Sequence, residues 1–332
     1  MNKDVYDVAI LGGGPTGLFG SFYAGMRHMK TVVIDSLPEL GGQLMALYPE
    51  KFVYDVGGFA KILAKDLAAG LVEQATQFGP TIALQETVQG LDRVDDQIWK
   101  LTTDKNEYLT RTVVISAGIG AFEPRRLKVE GLERFEGNGV QYLVRDKSAL
   151  AGRRVMIVGG GDSALDWAMN LQGIAKSLML IHRREGFRAH EATIRVVKEG
   201  GKCPILTHYE IRSVTGNSCL ESVTIFDNRT DEEQTHEVDA LLINVGFKAD
   251  LGPIKGWGLE MEKNGIVVND KMETALPGVY AAGDVTQHAG KLDLIATGFG
   301  EVAVAVNFAK HYIDPTARAF PGHSTDEKWK EN

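Results

Sequence analysis

Apolar residues in this chain come in short unbroken runs, each closed by glycines and followed by a stretch of helical period. The first run, Val8 to Leu11, has the form of a strand buried on both faces of a parallel sheet. Gly12, Gly14 and Gly17 follow it as G-x-G-x-x-G, and Leu18 to Met26 reads as the helix beyond. A second apolar strand, TVVIDS, ends on Asp35. The segment PELGGQLMALYPEKFVYDVGGF is rich in glycine, proline and aromatics and has no period, so it reads as a long loop. Helical spacing resumes from about Ala60 to Gln77. Strand-like stretches TIALQETVQGLDRV and IWKLTTD come next, and RTVVISAGIG is an apolar return strand ending near Gly118.

The pattern then repeats. RRVMIVGGGDSALDWAMNL is again strand, glycine turn and helix, with Gly159, Gly161 and Ala164 in G-x-G-x-x-A and Asp162 and Ser163 at the helix start. Its following strand, SLMLIH, does not end on an acid but on His182, Arg183 and Arg184, with Arg188 shortly after. A third strand, in LPGVYAAGDVT, runs into Gly283 and Asp284, and a helix opens at about Thr297. Strand, glycine turn and helix together form a dinucleotide-binding unit. The first glycine allows the tight turn, the second lets backbone approach a pyrophosphate, and the third packs helix on strand. The helix N-terminus offers free N–H groups to the phosphates. Two such units predict an α/β fold of two Rossmann-like, three-layer dinucleotide-binding domains. Asp35 suits a free ribose 2′-OH, whereas guanidinium groups at the matching place in the second unit suit the 2′-phosphate of NADP.

At 332 residues the chain has room for two domains, and 44% hydrophobic with 24% charged residues is ordinary for a globular protein. No apolar run approaches the ~20 residues of a membrane span, and no signal peptide is visible, so a cytoplasmic protein is expected. Cys203 and Cys219 are the only cysteines and form no C-x-x-C, which supports neither a disulfide framework nor a metal site. A net charge of −8 leaves no basic footprint for nucleic acid.

The order GGGPTG, SAG, GGGDSA, HRRxxxR, AAGD and ATGFGE resembles the two-domain flavoprotein reductases of the thioredoxin-reductase type over essentially the whole chain. That resemblance implies FAD on the first glycine motif and NADPH on the second, with the NADP domain inserted into a discontinuous FAD domain. It implies an FAD domain over 1–118 and 248–332 and an NADPH domain over 119–247, with linkers Gly118–Pro124 and Val245–Asp250. One departure bears on function. The dithiol C-x-x-C that thioredoxin reduction needs is missing, because the stretch ahead of the second glycine motif reads GVQYLVRDKSALAGRR. The chain is then most similar to the ferredoxin/flavodoxin–NADP+ reductases that lack the dithiol, at GGQLMALYPEK, YDVGGF, ATGFGE and the tail PGHST.

Carried over from that family, Gly12, Gly14, Pro15, Thr16 and Gly17 hold the FAD pyrophosphate and Asp35 the adenosine ribose. Val88 meets the adenine edge, and Gln43 and Gly118 lie by the flavin and ribityl. Tyr48 stacks on the ring, Phe122 flanks it, and Asp284 holds the ribityl and phosphate end. The tail residues His323, Ser324 and Thr325 are placed near the ring, although by composition alone the tail reads as disordered. Tyr48 also reads as a packed loop aromatic, and Asp55 in the same loop either lies near the ring or is a turn residue. Gly159, Gly161, Asp162, Ser163, Ala164, His182, Arg183, Arg184, Arg188 and Gly246 are the implied NADP contacts. The implied reaction passes a hydride from NADPH to flavin N5 and single electrons to ferredoxin or flavodoxin, in a homodimer. Arg125, Arg126, Arg153 and Arg154 are the candidate docking patch for an acidic partner. Three other readings stay open: a low-molecular-weight disulfide reductase, although Thr16 stands where the bacillithiol-disulfide branch has cysteine; an NADPH diaphorase or oxidase; and a flavin redox sensor.

Overall fold

A computed structural model describes residues 5–144, 146–189 and 191–322, without the side chains of 121–123 and 248–249. The chain divides into two compact units, Met1–Ala121 with Ala249–Asn332, and Phe122–Lys248. The first unit opens with β1 (Val5–Leu11), α1 (Pro15–Met26) and β2 (Thr31–Asp35). α2 (Ala64–Thr76), β3 (Thr81–Leu84), β4 (Val88–Arg93), β5 (Trp99–Thr103) and β6 (Glu107–Ile115) follow. β1 lies between β2 and β6, parallel to both, with β3 beyond β2. β5 and β4 extend the sheet antiparallel past β6. β2 is buried along its whole length, as an unbroken apolar run requires.

α1 begins at Pro15, ahead of the apolar stripe that marks it in sequence, because proline at the first helical position is pre-set for the helix and Gly14 caps it. α2 begins later than its apolar spacing suggests. Ile62–Leu63 is committed to an antiparallel hairpin with Phe52–Val53. The helix's first N–H groups then bond back to the chain just ahead of the hairpin, Ala64 to the Lys51 carbonyl at 2.9 Å and Lys65 to the Pro49 carbonyl at 3.1 Å. The long loop therefore holds this hairpin and the single helical turn Gln43–Ala46.

The second unit holds β7 (Arg154–Val158), α3 (Asp162–Asn170), β8 (Ser177–His182), α4 (Glu191–Glu199) and β9 (Ile205–Thr207). β10 (Tyr209–Gly216), β11 (Leu220–Asp227) and β12 (Glu233–Glu237) form an antiparallel sheet, and β13 (Ala240–Ile243) returns to the parallel one. The parallel order is Val140–Gln141, β13, β7, β8, β9. Alternation along the strands sorts them between two cores. Val155, Ile157, Leu178, Leu180 and Leu242 pack with Leu165 and Trp167 of α3 and Val197 of α4. Met156, Val158, Ile181, Leu241 and Ile243 pack instead with Ile211, Val214, Val223 and Ile225 of the antiparallel sheet. Helices, parallel sheet and antiparallel sheet are thus three layers.

The chain crosses between units through Ala121–Pro124 and Phe247–Asp250, which pair as a two-stranded ribbon. Back in the first unit, β14 (Val279–Ala281) pairs parallel with the end of β6. α5 (Ile295–Ile313) then packs on α1. Buried Arg27, at the end of α1, donates to the side-chain oxygen of Asn307 and, at 2.8 Å, to the carbonyl of Arg318, tying the chain beyond α5 to this unit. Among the described residues no helix is long and apolar enough to cross a membrane.

Candidate dinucleotide sites

In the first unit the glycine turn is shaped by backbone crowding. A Cβ on Gly12 would lie 2.4 Å from the Ser116 carbonyl oxygen, and one on Gly17 would lie 1.8 Å from that of Gly12. These two glycines let α1 press onto the ends of β1 and β6. Gly14 differs: a Cβ there would come no nearer than 3.8 Å to any described neighbour, the Cα of Gly42. Packing within the chain does not exclude a side chain at Gly14. The position is the open side of a cradle at the N-terminus of α1, where unpaired N–H groups favour an anion. A dinucleotide pyrophosphate fits that opening.

Asp35, 8% exposed, closes the end of β2. Its Oδ2 accepts from Gly13 N at 2.5 Å and its Oδ1 from Leu37 N at 2.8 Å. Burial raises its carboxyl above the usual range, and the two backbone bonds oppose that shift. Each oxygen keeps acceptor capacity for a hydroxyl. Val88 opens β4 half-buried, just beyond Glu86, whose N–H bonds the Asp35 carbonyl at 3.0 Å. The Gln43 side chain reaches Gly118, where a Cβ would stand 3.2 Å from Nε2. The Tyr48 phenol is pushed up to about 12, chiefly by burial and then by the charges of Asp284 and Asp55. Tyr48 is a neutral hydrogen-bonding group there.

Thr16 joins the sequence-distant parts of this site. A Cβ on Gly283 would lie 2.8 Å from its Oγ1, and one on Gly298 would lie 2.3 Å away. Two glycines thus form the notch that Thr16 fills, and the first turns of α1 and α5 meet at the Gly283–Asp284 turn. Behind that turn lies a buried ionic brace that the sequence did not reveal. Glu301, 6% exposed, takes the Gly283 N–H on Oε2 at 2.7 Å, while Lys291 Nζ donates to the Gly283 carbonyl at 2.9 Å. Lys291 also bonds both Glu301 oxygens, at 2.9 and 3.0 Å, and His288 Nε2 lies 2.9 Å from Oε1. Both backbone groups of Gly283 are therefore held by charged side chains. Asp284 beside them is raised, first by burial and then by Asp293, with Lys291 opposing.

The second unit repeats the cradle with different walls. A Cβ on Gly159 would lie 2.4 Å from the Asn244 carbonyl oxygen, while one on Gly161 would meet nothing within 4 Å. Asn244 also carries a buried side-chain oxygen with no donor among the described residues, next to Val245 and Gly246. Ala164 takes the place of the third glycine. Asp162 and Ser163 open α3 exposed, with Gly161 as its cap. Past the end of β8, Arg183, Arg184 and Arg188 are exposed, and their guanidinium groups have no hydrogen bond or ion pair among the described residues. An unpaired cationic cluster at this place suits a 2′-phosphate. His182 packs instead under the glycine turn, with its Nε2 3.1 Å from the Gly186 carbonyl oxygen.

The remaining expected residues divide. Of the expected docking arginines, Arg126 is ion-paired with Glu136 and Arg154 with Glu237 and Asp239, while Arg125 Nε donates to the Phe247 carbonyl and Arg153 is exposed. His323, Ser324, Thr325 and the Phe122 side chain lie outside the described residues. Cys203 is buried with its thiol pushed up to about 11, and Cys219 is exposed at the β10–β11 turn. Among the described residues no group of His, Cys, Asp and Glu could hold a metal ion.

Two dinucleotide cradles in one chain define a pyridine-nucleotide oxidoreductase. Residues 6–308 match the pyridine nucleotide-disulphide oxidoreductase family, and the chain belongs to it. It is 53% identical over 324 residues to the ferredoxin–NADP reductase of Halalkalibacterium halodurans, covering 97% of this chain and 98% of that one. With the ferredoxin–NADP reductase of Metallosphaera sedula it shares 53% identity over 331 residues, 98% and 99% of the two chains. The thioredoxin reductase of Lactococcus lactis superposes with a TM-score of 0.77 at 26% identity, over 93% of this chain and 99% of that one.

The brace yields a stability prediction. Lys291→Met leaves buried Glu301 without its lysine, held by His288, Thr286 and the Gly283 N–H, and should lower unfolding stability by about 3–5 kcal/mol. Urea unfolding checks it. A loss below about 1 kcal/mol, the worth of an exposed pair, would contradict a buried brace.

Proposed function

We propose that the chain is an FAD-dependent ferredoxin–NADP+ or flavodoxin–NADP+ oxidoreductase, with FAD in the first unit and NADP(H) in the second. One observation carries this reading: the two cradles share a plan but end differently. The first ends on buried Asp35 and the second on three exposed guanidiniums with no partner among the described residues. The relatives of nearly equal length named ferredoxin–NADP reductase support the partner.

In this assignment Gly12 to Gly17, with Pro15 and Thr16, hold the FAD pyrophosphate at α1, and Asp35 accepts from the adenosine ribose. Val88 borders the adenine. Asp284, fixed by the brace behind Gly283, receives the ribityl end, and Gln43 and Gly118 border the flavin. Tyr48, with Phe122 and the tail residues His323, Ser324 and Thr325, limits access to the ring. Gly159, Gly161, Asp162, Ser163, Ala164 and Gly246 cradle the NADP pyrophosphate, and Arg183, Arg184 and Arg188 take its 2′-phosphate. His182 supports that turn from beneath. The chemistry FAD would supply when bound is the conversion of a hydride from NADPH into two single electrons and one proton, the proton leaving to solvent. The protein transfers no proton in this scheme, consistent with a Tyr48 phenol at about 12.

The thiol inventory weighs against disulfide reduction. Cys203 is buried with a raised pKa, the opposite of an activated thiol, and Cys219 lies in the second unit without a neighbouring cysteine in sequence. A cytoplasmic location fits two free cysteines.

A homodimer is also part of this reading, since Phe52, Tyr54 and Phe59 expose apolar surface on one loop of the first unit. Light scattering should return the mass of two chains, and a single-chain mass would set the dimer aside. The functional test is NADPH-driven cytochrome c reduction with and without ferredoxin. Ferredoxin should raise the rate strongly, whereas thioredoxin with a disulfide reporter should give no turnover. No gain from ferredoxin or flavodoxin would overturn the partner and leave a diaphorase.

A further inference from the structure

Three contacts in the second unit fix the turn from Arg183 to Arg188, and one comes from a residue far from the glycine cradle. At its far end, Arg188 N donates to the Gly160 carbonyl at 2.7 Å. In the middle, the Gly186 carbonyl lies against His182 Nε2 at 3.1 Å. At its near end, the Arg183 carbonyl accepts from Asn228 Nδ2 at 3.0 Å. Asn228 belongs to the turn that follows β11 in the antiparallel sheet. We propose that Asn228 is a positioning residue for the 2′-phosphate, and that the antiparallel sheet sets NADPH-over-NADH preference through it. The proposal rests on the assignment of the arginine turn to that phosphate.

Asn228 has little freedom of its own. Its N–H donates to the His208 carbonyl at 2.8 Å, and Nδ2 also donates to Glu210 Oε1 at 2.9 Å. Arg229 next to it grips both oxygens of buried Asp227, at 2.9 and 2.6 Å, which locks the turn. The amide is therefore held in place before any nucleotide binds. Arg183 and Arg184 are long, exposed side chains, and their rotamer entropy opposes phosphate binding. Fixing the backbone at the root of Arg183 removes part of that cost, which is pre-organisation. Among the described residues the Asn228 side chain bonds Arg183 and Glu210 and not the glycine turn, so its effect should fall on the 2′-phosphate.

The test uses the flavin-loaded protein with ferricyanide as acceptor. In Asn228→Ala the backbone bond to His208 survives, and Asn228→Leu keeps much of the bulk while losing the donor without adding a charge. Each should raise KM for NADPH about three- to tenfold, the worth of one neutral hydrogen bond. The same variants should leave kcat and the NADH parameters within twofold. Calorimetry with 2′,5′-ADP should show the same loss of affinity without turnover, and the thermal midpoint should hold. Equal losses for NADPH and NADH, or no loss of 2′,5′-ADP affinity, would overturn the proposal. Arg184→Ala separates the two layers of the argument. If it lowers the NADPH-to-NADH ratio while the Asn228 variants do not, only the role of Asn228 falls. If it leaves the ratio unchanged, the phosphate assignment fails and takes the proposal with it.

Discussion

The first unit depends on a close approach of three chain segments around Thr16. Gly283 and Gly298 have no side chain where Thr16 sits, and a methyl group at either would lie within 3 Å of its hydroxyl. The approach brings the N-terminal turns of α1 and α5 together beside the Gly283–Asp284 turn, so two partly positive helix ends converge. It also explains why the unit must be discontinuous. β1 and α1 supply one side of the notch, and the segment after residue 249 supplies the other. The Glu301–Lys291 brace holds the second side by both backbone groups of Gly283. Buried ion pairs contribute little net stability compared with apolar packing of the same volume. A brace of this kind is better understood as fixing one conformation of the turn that carries Asp284.

The two units reuse one plan with different chemistry at the strand end. In both, the first glycine yields to a crossing backbone carbonyl, of Ser116 in one and Asn244 in the other. In both, the second glycine of the motif has no packing reason to be glycine, which leaves room for a ligand. The difference lies beyond the turn. Asp35 is buried and already bonded to the glycine turn, a geometry for a tightly held ribose. The arginine turn is exposed and cationic, which suits the proposed 2′-phosphate.

Much of this was legible in the sequence because it rests on local rules. Positive φ and a close carbonyl leave glycine as the residue at Gly12, a close carbonyl does so at Gly17, and a strand end suggests its ligand through Asp35 or Arg183. Features made by tertiary contact were not legible. Lys291, His288 and Glu301 are ordinary residues that meet only because the loop before α5 folds back. The start of α2 was hidden by the Ile62–Leu63 hairpin, whose partner strand lies on the far side of a glycine-rich loop. The arginines at 126 and 154 look like a basic patch in sequence, yet carboxylates elsewhere in the chain pair with them. Asn228 carries no motif at all, and only the packing of the antiparallel sheet brings its amide to Arg183.

The most direct measurement is an anaerobic titration of the purified protein, read in the visible flavin band. The account predicts a yellow protein bleached stoichiometrically by NADPH, at far lower concentration than by NADH, with the colour restored by oxidised ferredoxin. A colourless protein that gains no colour with added FAD would contradict the first cradle. Equal bleaching by NADH would contradict the second, and colour restored by a disulfide but not by ferredoxin or flavodoxin would contradict the reductase itself.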